Sequence, residues 1–132
     1  MDLQDLEHNT RDGVHIAALA GAWLAVVAGF GGMRDHDGSL TFAPRLPGRL
    51  SRLSFRLVFR GRRLEVDVAP AAATYTLLEG DALVLGHHGR SITVTPDAPV
   101  TEPIPTHVER PAPSQPAGRE PFRRRIESAR PS

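Results

Sequence analysis

Hydrophobic and polar positions change their period once along this chain, near Gly31. From Val14 to Phe30 apolar residues occupy almost every position, and the bulky ones (Ile16, Leu19, Trp23, Val26, Val27, Phe30) recur mostly three or four residues apart. That spacing predicts a helix with one broad stripe, its other sides filled by alanine. A helix apolar on nearly every side finds cover only inside a larger assembly. Asn9, Thr10 and Asp12 stand ahead of it, and side chains of these types accept hydrogen bonds from the free amides of a helix start. Gly29, Gly31 and Gly32 mark its end, because glycine takes the left-handed conformation of a helix terminus at no steric cost. Further upstream, Leu3 and Leu6 fall on one face of a short helical remnant within Met1 to Glu7.

Beyond the glycines the period becomes two. Ser39 to Phe42, Leu53 to Phe59, Leu64 to Val68, Thr74 to Leu78, Leu83 to Leu85 and Ser91 to Thr95 read as short strands, separated by turns at Arg60 to Arg62, Glu79-Gly80-Asp81 and His87 to Arg90. Asp37-Gly38 is a further turn dipeptide. This rhythm predicts an antiparallel sheet or small sandwich. From Pro96 onward nine prolines and little apolar periodicity replace it, which reads as an extended tail unable to offset its ordering entropy. The fold class expected is α+β: one long apolar helix in residues 1–36, a small antiparallel β-sandwich-like domain in 37–98, and a disordered Pro-rich tail in 99–132. Trp23, Phe42 and Tyr75 are expected to pack in the core.

Composition narrows the functional classes. The 16 basic residues are all arginine and face 15 acidic ones in 132 residues, so no whole-chain field attracts nucleic acid or an anionic membrane. The absence of lysine beside abundant alanine, glycine and proline fits GC-rich coding and a bacterial source. With no cysteine, disulfides, thiolate metal sites and cysteine nucleophiles are excluded, which fits the cytoplasm. The apolar run is at the short edge of a bilayer span and is diluted by alanine and glycine. The acidic segment Met1 to Asp12 also lacks the basic region of a signal peptide, so no membrane association is expected.

Candidate chemistry is sparse. His87 and His88 are adjacent, so on a strand they point to opposite faces and on a turn they are solvated; without a third ligand they make no metal site. Arg60, Arg62 and Arg63 crowd a turn and Arg123 to Arg125 lie in the tail, without interleaved aromatics to stack bases. No carboxylate pair whose surroundings would separate their acidities for acid–base work is evident. The start of the helix is different. Free amides, the positive end of the helix dipole, the Thr10 hydroxyl, the His15 imidazole and a close-approach glycine at Gly13 together suit an oxyanion. The same residues also serve as ordinary capping and turn residues.

The segments TRDGVHIAALAGAW, GFGGMR, LTFAPRLP, LSFRLVFRGRRLEVDV and ATYTLLEG resemble, in order and spacing from His8 to Ile104, the C-terminal part of glycoside hydrolase family 65. That family includes maltose, trehalose and kojibiose phosphorylases. The resemblance implies that Val14 to Phe30 is the last helix of an (α/α) barrel and that the strands form the β domain following it. It implies that the catalytic glutamate lies upstream, in a region no residue of this chain matches, so no catalytic residue is assigned and the chain alone is expected to be inactive. It implies inorganic phosphate as co-substrate near Thr10, Gly13 and His15 of an intact phosphorylase, with no other cofactor and no metal. The partner implied is the barrel of the same or a split enzyme, with homo-oligomers a further expectation. A truncated or split gene is one reading of the chain; a stand-alone interaction module docking through its apolar helix is the other.

Overall fold

The computed structural model describes residues 8, 13, 15–106, 118 and 119. Most of Met1 to Asp12, including Thr10 and Asp12, and most of the proline-rich tail fall outside them.

Helix α1 (Ile16–Gly29) begins two residues later than the apolar run predicts, with His15 in extended backbone at the N-cap and no side-chain cap. Asn9, Thr10 and Asp12, read as its capping residues, lie outside the described residues. Its amides at Ala18 and Leu19 turn back onto the His15 carbonyl. Of the three glycines expected to stop the helix, Gly32 is the one with positive φ.

Eight strands follow: β1 (Arg34–His36), β2 (Ser39–Phe42), β3 (Leu53–Phe59), β4 (Arg62–Val68), β5 (Ala72–Glu79), β6 (Leu83–His87), β7 (Arg90–Val94) and β8 (Val100–Pro103). Three hairpins share one turn chemistry. Asp37-Gly38, Arg60-Gly61 and His88-Gly89 each join strands through two residues of positive φ. That conformation matches the twist of paired strands, and it is strained for any second residue but glycine.

The strands form two four-stranded sheets in the orders β1-β2-β6-β7 and β3-β4-β5-β8. Pairing is antiparallel except between β2 and β6, where Thr41 and Phe42 run parallel to Gly86 and His87. The two sheets stack face to face. Leu40, Phe42, Leu83, Leu85, Ile92 and Val94 of the first meet Phe55, Leu64, Val66, Val68, Ala73, Tyr75 and Leu77 of the second. Phe42 sits between the layers, its ring 5.3 Å from Tyr75 and 6.4 Å from Phe55, so both aromatic residues expected as sheet packing are so.

Burying one Leu, Val or Phe side chain contributes roughly 1.5–3 kcal/mol, so stability resides in the strands. Helix α1 adds Val27 to this core, while Ile16, Leu19, Leu24 and Trp23 remain 82, 57, 51 and 41 % exposed. Trp23 is thus not a core residue of this chain: of the stripe it belongs to, Val27 reaches the sandwich and the positions nearer the N-terminus stay exposed.

Two further differences concern strands. β1 lies in residues expected to belong to the helical region, and β8 lies in residues expected to be tail. β8 is held because Ala72 to Tyr75 of β5 pair with it residue for residue. Pro103, which lacks an amide, is tolerated because β8 is a sheet edge.

Candidate functional site

The sequence points first to the entrance of α1. Gly13 there has φ 119°, a conformation L-residues rarely adopt, and open space where a Cβ would stand. His15 is exposed at the N-cap. Thr10, the third residue proposed for phosphate, lies outside the described residues. Gly13 and His15 therefore stand together at the N-terminal end of α1.

A second polar centre lies inside the sandwich, where sequence reasoning expected none. His87 is 2 % exposed. Its Nδ1 lies 2.8 Å from the Tyr75 hydroxyl and its Nε2 3.1 Å from the Pro103 carbonyl oxygen. A carbonyl only accepts, so Nε2 carries the proton, and in the neutral ring Nδ1 accepts from Tyr75. Burial, with the nearby charge of Glu102 behind it, raises the Tyr75 pKa well above its ordinary value and keeps it a donor. Burial likewise lowers that of His88, aided by His87 and Arg45 and opposed by the Pro44 carbonyl that its Nε2 approaches. His87 is a buried pin between the sheets, while His88 is half-buried against the loop after β2; among the described residues no group of three potential ligands converges. The signal that could have found it is the run Leu83, Leu85, His87, which puts the histidine on the inward side of its strand.

The arginines on and beside the strands of the second sheet, and Arg90 of the first, are occupied. Arg52 forks onto Asp67, Arg56 meets Glu65 at 2.5 Å, Arg63 pairs with Glu79, and Arg90 reaches Glu102 at 3.1 Å. Arg62 donates to the Asp81 and Arg60 carbonyls, and Arg60 lies over the Phe59 ring. The turn cluster is thus engaged with its own hairpin and with the end of β5 beside it. Hydrogen bonds from Arg52 and Arg63 hold Asp67 and Glu79 below the ordinary carboxylate range, the opposite of what a general acid needs. An open cleft of about 350 Å³ between the loop after β2, the β4–β5 turn and the end of β8 is lined by residues including Arg45, Leu46, Ile104 and Thr106, with no carboxylate among the described residues of its wall.

What this arrangement defines is a β-sandwich domain carrying, on its N-terminal side, a helix with exposed apolar side chains. Among the described residues no helix is long and apolar enough to cross a membrane. Residues 33–94 match the family model described as glycosyl hydrolase family 65, C-terminal domain. A glycosyl hydrolase of Mycobacterium leprae described as uncharacterized is 50 % identical over 131 residues, 97 % of this chain and 16 % of its own length. The α,α-trehalose phosphorylase of Thermoanaerobacter brockii is 41 % identical over 92 residues, 70 % of this chain and 12 % of its own. A solved putative kojibiose phosphorylase from the human microbiome shares the fold, with a TM-score of 0.65 and 24 % identity over 76 % of this chain and 14 % of its own. The chain belongs to glycoside hydrolase family 65, as a C-terminal region of that family. It spans 12 to 16 % of the length of these relatives.

Proposed function

We propose that this chain is the C-terminal, non-catalytic portion of an α-glucoside phosphorylase or hydrolase, with α1 completing a helical barrel and the sandwich buttressing it. The observation that carries this reading is the exposed apolar surface of α1, from Ile16 to Leu24, in a chain that resembles 11 to 12 % of the length of trehalose and maltose phosphorylases. In the intact enzyme the upstream barrel supplies the catalytic acid. The loop at Thr10, Gly13 and His15 lies near the attacking phosphate, where helix-end amides and an imidazole favour an anion.

Translation of the coding DNA upstream of Met1 gives the first test, and a helical-barrel frame running toward Met1 is the expected result. Co-expression of the two segments should then give phosphate-dependent release of glucose 1-phosphate from trehalose, maltose or kojibiose, or hydrolysis of the same sugars. The chain alone should give neither. If no barrel is encoded nearby, the exposed face of α1 favours the second reading, a free-standing module that docks on a partner through this helix.

A further inference from the structure

We infer that the segment linking α1 to the sandwich is a rigid joint, and that Gly31, Gly32 and Arg34 are positioning residues for the opposite end of the helix. Of its large side chains α1 buries Val27, near its C-terminal end, and those farther from the sandwich stay exposed. The connection is nevertheless tied from several sides. The Val26 carbonyl accepts from both Phe30 N (2.9 Å) and Gly31 N (3.2 Å), and the Val27 carbonyl from Met33 N (3.2 Å). Behind β2 the chain closes back on the same turn, with Arg45 N donating to the Phe30 carbonyl (2.8 Å) and Ala43 N to that of Gly32 (3.2 Å). Arg34, at the start of β1, sends Nη1 to the carbonyls of Ala28 and Met33 at 2.7 Å each. That places a cation on the negative end of the helix dipole.

Neither glycine has slack. A Cβ on Gly31 would stand 2.5 Å from the Val27 carbonyl oxygen and 3.1 Å from the Phe55 ring. One on Gly32, whose φ is 61°, would meet the Ala43 backbone. Stopping a helix requires one left-handed residue; fixing its direction requires opposed contacts of this kind. At about 1.5 Å per residue the 14-residue helix carries His15 roughly 20 Å from the joint, so a tilt of about 10° there would shift it by roughly 3 Å. Displacements smaller than this are enough to cost an oriented site much of its rate. On the reading given under Proposed function, the group so positioned is the Gly13–His15 loop. The joint itself does not depend on that reading.

The chain has no cysteine, which allows paired spin labels at Ala17→Cys and Thr93→Cys, diluted with unlabelled chain so that only intramolecular distances are read. A single narrow distance distribution is expected. Arg34→Ala and Gly31→Ala should at least double its width or displace it, Arg34→Lys should stay near the parent, and a control pair at Ser54→Cys and Thr93→Cys within the sandwich should not change. A broad parent distribution, or one unaltered by both variants, overturns the joint; a changed control pair would show misfolding and move the test to Arg34→Gln. In the intact enzyme Arg34→Ala should raise KM for inorganic phosphate at least fivefold, with KM for the disaccharide within twofold and recovery by Arg34→Lys. Equal effects on both substrates would reject the positioning role. An intact enzyme without phosphate-dependent activity would count against the phosphate reading, with the distance measurement still deciding the joint.

Discussion

Tyr75 and His87 show how much one buried polar contact decides. Each ring nitrogen of His87 has a single partner, and the partners come from β5 and β8 of the opposite sheet. Tyr75→Phe keeps the ring against Phe42 but leaves Nδ1 buried without a donor, so the change should cost about 1–3 kcal/mol. Urea unfolding checks this as a lower midpoint at constant slope; a cost of only a few tenths would mean that water reaches the ring. The surface pair Arg52–Asp67 makes a prediction of the opposite kind. Its hydrogen bonds lower the folded-state pKa of Asp67 below the unfolded value of 3.8. Its stabilisation is therefore complete above that value and lost as pH falls through the folded one. Because Arg52 is exposed the effect should be small and screened by salt. Melting temperatures recorded from pH 5 to pH 2 should fall less steeply in Arg52→Gln than in the parent, and parallel curves would show that the pair contributes nothing.

Strands were legible where alternation was long and the turn chemistry explicit. Leu53 to Phe59 and Leu64 to Val68 alternate over a full hairpin, and the glycines at 38, 61 and 89 mark turns that only positive φ can close. β1 has three residues, all charged or histidine, and so shows no apolar alternation. β8 is held by its register with Ala72–Tyr75 and by the His87 contact to Pro103, neither of which its own proline-flanked residues display. The helix was readable from its stripe, but the direction that stripe faces was not, because period gives a face and not what lies opposite it. The parallel pairing of β2 with β6 is equally silent in sequence, yet it has a residue-level signature. A Cβ on Gly86 would stand 2.9 Å from Thr41 Cγ2 across that pair. Gly86→Ala sets this crowding against the roughly 0.4–1 kcal/mol gained by stiffening the unfolded chain. It should therefore be more favourable in a Thr41→Ser background, where Cγ2 is gone, than in the parent. A double-mutant cycle by denaturant unfolding should give a coupling of at least about 0.5 kcal/mol, and strict additivity would mean that β2 and β6 separate at no cost.

At the scale of the whole molecule, one chain carries two surfaces with different requirements. The sandwich meets its own: its core is closed, its charged outer pairs face water, and no buried side-chain polar atom among the described residues lacks a partner. Helix α1 does not, since Ile16, Leu19, Trp23 and Leu24 all remain substantially exposed. Contiguous apolar patches beyond a few hundred Å² mark sites of association. The isolated chain should accordingly self-associate with rising concentration, read by light scattering coupled to gel filtration, and Leu19→Glu with Leu24→Glu should return it to a monomer. Neither residue touches the core, so the sandwich should melt at an unchanged temperature in that variant. Added upstream barrel, if the proposed architecture holds, should suppress self-association of the parent chain and fail to bind the double variant. A parent chain that stays monomeric at high concentration would instead mean that α1 is covered within the same molecule, and the search for its cover would turn to segments of this chain outside the described residues.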